Sequence, residues 1–296
     1  MSRATRRMKT ERKSAFSVWL FIACLIYFLN FAAGATVLGA CGILSIPNEA
    51  YSLSGPVSIT GATCFNVTAQ NITLDCGGAS FSITGNNSAS TYGVYSDQFN
   101  TTLKNCDIIN FNRGVYFNNV IRGKIQTVTA RTNLSTGYGI YLSSSNYSNI
   151  TDSVGTALYG ISLYSSNNNT IINCNGTSRT SWYGISIESN SNYNTVINSN
   201  GTSNTSMGGI SISNSNNTII INSTGTGKFT AKGITINTGS SNNTIINSTG
   251  FSNTSSGIYI IGGTNNTIID SKGISNTSIG IAVDSSSFTT IINSNG

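Results

Sequence analysis

The 296-residue sequence contains no histidine, so proton transfer would fall to carboxylates, lysine, arginine or tyrosine. From Cys41 onward there are eight acids: Glu49, Asp75, Asp97, Asp107, Asp152, Glu188, Asp270 and Asp284. Glycoside hydrolysis asks for two carboxyl groups roughly 5 to 9.5 Å apart. Charge is densest in residues 97–131, with Asp97, Lys104, Asp107, Arg113, Arg122, Lys124 and Arg131. Acids there could hold Ca²⁺ while a Lys or Arg takes a proton, which is the chemistry of polyuronate elimination. Asp97, Asp107, Lys104 and Arg113 are therefore the candidate catalytic residues of a lyase reading, set against the plainer one of a solvated face. Ca²⁺ enters only under that reading. Zinc is disfavoured by the lack of His and of any CxxC pair.

Tyrosines offer a different chemistry. Tyr95, Tyr116 and Tyr141 recur at one place, and Tyr138, Tyr159 and Tyr183 at another. Exposed rings could stack on sugars and hydrogen-bond them through their hydroxyls. The same rings could instead stack on one another along a sheet.

The elements that position these residues are repeats. A glycine followed by an apolar–x–apolar triplet recurs at Gly93, Gly114, Gly139, Gly160, Gly184, Gly209, Gly233, Gly257 and Gly280, every 21 to 25 residues. A second apolar column, Leu103, Ile125, Ile150, Ile171, Val196, Ile219, Ile245, Ile268 and Ile291, keeps step with it. GISI, GITI and GIYI alternate with a period of two, so the first and third residues after Gly should face inward. The second (Ser186, Ser211, Thr235, Tyr259) should face out. Both prolines, Pro47 and Pro56, precede the repeats, leaving later strands free to donate hydrogen bonds. This pattern predicts an all-β fold, a right-handed parallel β-helix (solenoid) of about nine coils over residues 74–296, with residues 41–73 as N-terminal cap and entry to the first coil.

In SSNNTIINSTG (240–250), Ile245 or Ile246 supplies the core, Asn247 the turn and Gly250 the bend. The turn column Asn105, Asn173, Asn198, Asn222, Asn247 and Asn293, with Asp152 and Asp270, is expected to form an asparagine ladder. Asp152 and Asp270 lie five coils apart, roughly 24 Å, and Asp97, Glu188 and Asp284 share another column with four coils between neighbours. No acid pair is evident in the regular repeats.

The phrases NNTIINSxG…GIxI and CFNVTAQNITLDCGGASFSITG (64–85) resemble the right-handed β-helix repeats of the NosD type, which occur in secreted and surface proteins of archaea and bacteria. The resemblance covers residues 41–296 and implies the fold more than an activity. The copper role for which that group is named is not carried over, because the chain has no His and only Met1, Met8 and Met207. Many parallel β-helices cleave polysaccharides, but the Gly-His-Gly and Asp-Pro-His elements of such enzymes are absent here. The resemblance implies a structural or binding role, with a polysaccharide or glycan as the expected partner. An enzyme acting near residues 92–141 and an inert spacer are the alternatives.

Six basic residues precede residue 14 and lead into the apolar run Val18–Leu29. Residues 1–40 read as a signal peptide with Ala33-Gly34-Ala35 at the cleavage site, as an uncleaved membrane anchor, or as a lipidated leader ending before Cys41. Each version exports residues 41–296, and the expected location is extracellular or cell-surface. That part holds nine basic and eight acidic residues, which argues against nucleic-acid binding. In an oxidising compartment, Cys76 and Cys106 fall close enough to pair, and Cys41 with Cys64 would close the cap. Cys174 would stay a buried thiol. Eighteen N-x-S/T triplets follow Cys41 in the register of the turns and could carry glycans. The last repeat ends in register at Gly296, so further C-terminal domains are expected.

Overall fold

The computed structural model describes residues 34–78 and 80–296. The Val18–Leu29 run lies outside the described residues. The unit Val37–Gly296 is built from short strands in three parallel sheets, and no helix occurs among the described residues. Sheet I has twelve strands, from Thr36–Leu38 to Thr290–Ile292. Sheet II has eleven, from Gly42–Leu44 to Ile281–Asp284, and sheet III has ten, from Val57–Ser58 to Lys272–Ser275. Each coil visits sheet II, then I, then III, and each strand pairs in parallel with its equivalents in adjacent coils. The result is the right-handed parallel β-helix that the repeat predicts.

The helix starts earlier than the glycine column suggests. Residues 41–73, expected as a cap, already carry strands of all three sheets. Leu44, Tyr51, Leu53, Phe65 and Val67 are buried there, so the inward alternation holds where the glycine signature is missing. The disulfides Cys41–Cys64 and Cys76–Cys106, with Cα separations of 4.6 and 4.8 Å, each tie one coil to the next. Cys174 is a buried thiol that burial pushes up to about 11.

Residues 240–250 show how one coil is held. Ile245 is fully buried, whereas Ile246 points out from sheet I beside Ile221 and Ile269. Asn247 sits in a left-handed turn with φ of 44° and donates its amide to Asn222 Oδ1 at 2.8 Å. The other predicted ladder residues share that turn, with φ from 48° for Asn293 to 55° for Asn105. Asn173 donates to Asp152 and Asn105 to Asp75, each at 3.0 Å.

More continuous ladders run inside. The hydroxyls of Ser166, Ser191, Ser215 and Ser240 each accept the backbone N–H of the equivalent serine one coil earlier, at 3.0 to 3.3 Å. Ser223, Ser248, Ser271 and Ser294 repeat the device at another corner. Buried Asn194, Asn243 and Asn266 accept turn N–H groups through Oδ1 at 2.8 to 2.9 Å. These side chains satisfy turn amides that neither a strand nor water could reach.

Gly250 makes a core contact rather than a bend. Its inward column in sheet III reads Val57, Ile83, Ile108, Ala130, then Gly155, Gly176, Gly201, Gly225, Gly250 and Gly273. Sheets II and III thus close on one another as the chain proceeds. A Cβ on Gly201 would lie 2.3 Å from the Gly209 carbonyl oxygen, a backbone atom that cannot swing away. Gly201→Ala is expected to lose about 1–3 kcal/mol through overpacking, measured by denaturant unfolding.

Candidate functional site

The outer face of sheet II carries the aromatic residues. Strand register aligns Tyr92, Arg113, Tyr138 and Tyr159 in one column, and Tyr95, Tyr116, Tyr141, Ser162, Ser186 and Ser211 in the next. A third column runs Asn118, Ser143, Tyr164, Glu188 and Ser213. Backbone alternation points the middle column away from the core, but Ser186, Ser211 and Thr235, expected to face out, are buried at 0–2% exposure, and only Tyr259 of that set is partly exposed.

The tyrosines pack on one another. Tyr138 and Tyr159 stack with centroids 4.7 Å apart and planes 4° from parallel, and Tyr116 stacks on Tyr141 at 5.2 Å. Tyr92, Tyr95 and Tyr116 pack together at 5.1 to 5.6 Å. Trp182 extends the raft by stacking on Tyr159 at 5.1 Å, and Tyr183 packs against both. Tyr141 and Tyr159 are consequently buried, while Tyr164 and Trp182 present 43% and 36% of their surface. Burial pushes the Tyr138 hydroxyl up to about 12 and that of Tyr159 higher still. Both remain neutral hydrogen-bonding groups at physiological pH.

The four candidate lyase residues do not converge. Arg113 is held among rings, with Cζ 4.2 Å from the Tyr116 centroid and 5.0 Å from that of Tyr141. Its cation is occupied by cation–π contacts on sheet II. Lys104 lies on sheet I, paired with Asp75 at 3.1 Å. Burial opposes the Asp75 charge, but hydrogen bonds from Asn105 and the Gly77 amide, with the Lys104 ammonium, outweigh it and lower its pKa. Asp107 lies on sheet III, paired with Arg131 at 2.9 Å. Asp97 follows the sheet II strand Tyr92–Ser96 and accepts a hydrogen bond from Gln98. One coil crosses all three sheets in about two dozen residues, so closeness in sequence here means different faces.

A residue that the column alignment contains but did not mark out takes a central position. Glu188 follows Gly184 by four and stands beside Tyr164 in register, next to Ser186. Burial pushes its carboxyl from 4.5 up to about 7, with the Ser186 hydroxyl the opposing influence. Ser186 Oγ is itself buried and has no partner within good hydrogen-bond geometry. Glu188 also acts electrostatically on Tyr138, Tyr159 and Tyr183. Ser162, Ser186 and Ser211 are sunk beneath this rim, each at most 1% exposed. Next to a self-stacked raft there is thus a row of buried serines flanked by one acid whose carboxyl burial pushes up to about 7. Asp97 and Asp284 lie four coils from Glu188 along its column, roughly 19 Å, too far for a hydrolytic pair. Among the described residues no group of three or more His, Cys, Asp or Glu side chains could hold a metal ion.

Residues 159–295 match the family model described as a right handed beta helix region. No curated protein sequence matches the chain significantly. Among solved structures, the Azotobacter vinelandii mannuronan C-5 epimerase AlgE4 A-module is similar, with a TM-score of 0.63 and 11% identity over 90% of this chain and 87% of that one. The AlgE6 A-module from the same organism gives 0.56 and 11%, over 90% and 92%. The catalytic domain of a GH87 α-1,3-glucanase, solved with tetrasaccharides, gives 0.53 and 13%, over 88% of this chain and 60% of that domain. At these identities the likeness is one of fold. The class is therefore a right-handed parallel β-helix, and the family match covers its C-terminal half.

The Glu188 shift has a definite sign. Its folded pKa lies above the unfolded value, so the native state binds more protons between pH 4.5 and about 7. Stability should fall as pH rises through that window, by at most roughly 3 kcal/mol, and stay low above it. Glu188→Gln should remove the slope and raise the melting temperature at pH 8 but not at pH 4, as followed by thermal unfolding.

Proposed function

We propose that residues 41–296 form the exported, glycan-binding part of a surface or secreted β-helix protein of the NosD type, with residues 1–40 directing export. The observation that carries this reading is the outer face of sheet II, where an aromatic raft leaves Trp182 and Tyr164 exposed. Tyr164 is exposed beside Glu188 in register, and Trp182 is exposed at the other end of the strand Tyr183–Glu188, stacked on Tyr159. A sugar offers an apolar ring face to an exposed aromatic and hydroxyls to a neighbouring polar group such as Glu188, which matches this surface. Two disulfides suit an oxidising compartment outside the cytoplasm. The similar folds named above include proteins whose names concern polysaccharides, which agrees with this reading.

Binding without cleavage is favoured over catalysis because Glu188 has no carboxylate partner nearby. The spacer alternative draws on the self-stacking of the tyrosines, and the same experiment separates the two. On a glycan array followed by titration calorimetry, the wild-type ectodomain should bind a subset of oligosaccharides. Trp182→Ala should weaken that binding about tenfold (~1.4 kcal/mol) while the β-sheet circular dichroism is retained, with a lower melting temperature from the lost stacking on Tyr159. A wild-type ectodomain that binds no glycan, or a Trp182→Ala profile identical to wild type, would return the raft to a purely structural role.

A further inference from the structure

A second site lies away from the aromatic raft, at the corner where the chain passes from sheet II to sheet I. Every coil makes a left-handed turn at this corner. The residue there is asparagine in seven coils (Asn48, Asn71, Asn100, Asn168, Asn217, Asn242 and Asn265) and Arg122, Tyr147, Tyr193 and Phe288 in the other four, with φ from 52° to 63°. Asparagine suits the position because its short polar side chain tolerates the left-handed region. Asn71 donates its amide to Asn48 at 2.7 Å and Asn100 donates to Asn71 at 3.1 Å, so the first three form a ladder.

The ladder stops at Asn100. The next two coils put Arg122 (φ 61°) and Tyr147 (φ 56°) in the same turn, held by the same coil-to-coil backbone bonds. Bulky residues are disfavoured in this conformation, yet Tyr193 and Phe288 take the same turn in later coils, so what sets these two coils apart is a cation beside exposed rings. A cleft of about 390 Å³ lies at these coils, lined by Phe99, Asn100, Arg122, Lys124, Tyr147 and Asn149 among others. Phe99 and Tyr147 are 40% and 60% exposed. Arg122 Cζ stands 6.0 Å from the Phe99 ring centroid. Neither Arg122 nor Lys124 has an acidic partner among the described residues, whereas Lys104 and Arg131 do. No carboxylate lines the cleft.

We propose that this cleft binds a sugar unit bearing an anionic substituent, with Arg122 and Lys124 pairing the charge and Tyr147 or Phe99 covering the ring. The guanidinium gives a planar fork for a carboxylate or sulfate, and the ammonium a second point charge. Two exposed aromatics supply apolar walls of the size of a sugar ring. Asn100 and Asn149 offer amides for its hydroxyls. The inference rests on the glycan reading above, but it concerns a different face and different residues.

The column supplies variants compatible with the fold. Arg122→Asn and Tyr147→Asn restore the residue usual at that turn, and Lys124→Thr restores the threonine found at Thr102 and Thr170 in the same register column. Titration calorimetry would compare tetragalacturonate, a sulfated carrageenan tetrasaccharide and neutral maltotetraose. Wild type should bind at least one charged probe tenfold or more tighter than the neutral one at low salt, and the advantage should shrink as salt is raised. The better of the two charged probes identifies carboxylate or sulfate as the anion. Arg122→Asn with Lys124→Thr should abolish the preference while the melting temperature stays level or rises, and Tyr147→Asn should weaken the charged probes without removing the preference. Equal affinity for charged and neutral probes, or a preference that survives the double variant, would overturn the inference. If neutral glycans still bind in a Trp182-dependent way, that failure is confined to the cleft; if no oligosaccharide binds at all, the glycan reading fails with it.

Discussion

Everything in this protein depends on one constraint: each coil must present to the next the same backbone path at the spacing of a parallel sheet, about 4.8 Å. Because the pairing is one to one, a residue meets its own equivalent above and below. A position is therefore filled well by a side chain that is compatible with itself. Isoleucine packs on isoleucine, and a serine or asparagine accepts the turn N–H of its neighbour. Like charges do not stack in this way, costing roughly 0.9 kcal/mol per pair even in water at that spacing. This accounts for a chain that is only 8% charged. Where sheet charges do occur in adjacent coils, they alternate in sign, as in Asp75 with Lys104 and Asp107 with Arg131.

The same constraint leaves the core free to change gradually along the axis. The early coils enclose Phe65, Phe111 and Phe117 and are joined by two disulfides. Later coils replace Ile83 and Ile108 with Ala130 and then with glycine, so that backbone meets backbone between sheets II and III. Less apolar volume is enclosed per coil there, and cohesion passes to the ladders at the corners. The buried serines and asparagines are thus structural elements that replace hydrophobic bulk. They also explain how a polar, asparagine-rich chain can have a fixed fold.

Much of this was legible in the sequence because stacking imposes a column on every role. The glycine-led triplet and the TIIN phrase are enough to count coils and to place Ile185, Ile187 and Ile245 inside. The pattern does not show which side of a corner faces the core. Asn243 and Asn247 look alike in sequence, but one is a buried acceptor and the other an exposed left-handed turn. Gly250 looked like a bend for the same reason. The candidate face was partly legible too, since the six tyrosines lie on one sheet. Trp182 and Glu188 were harder to find, because their roles come from lateral packing against other coils rather than from their own column. The charges of residues 97–131 misled in the opposite sense, because adjacency along a solenoid chain carries residues round to other faces.

A repeated architecture thereby gives a physical criterion for function. A residue that breaks its column forgoes the self-compatible contact that its neighbours enjoy, and the loss must be offset by something the column does not supply. Arg113 replaces a tyrosine in the raft and recovers the difference in cation–π contacts, so its departure is explained within the fold. Glu188 gives up full ionisation at neutral pH and gains no salt bridge in return. Arg122 and Tyr147 give up an asparagine turn, as Tyr193 and Phe288 also do, but only they set an exposed cation beside an exposed ring. Inside the protein these three recover little, a distant Phe99 contact for Arg122 and the Ser186 hydroxyl for Glu188, which is the condition under which a ligand outside it becomes the economical explanation.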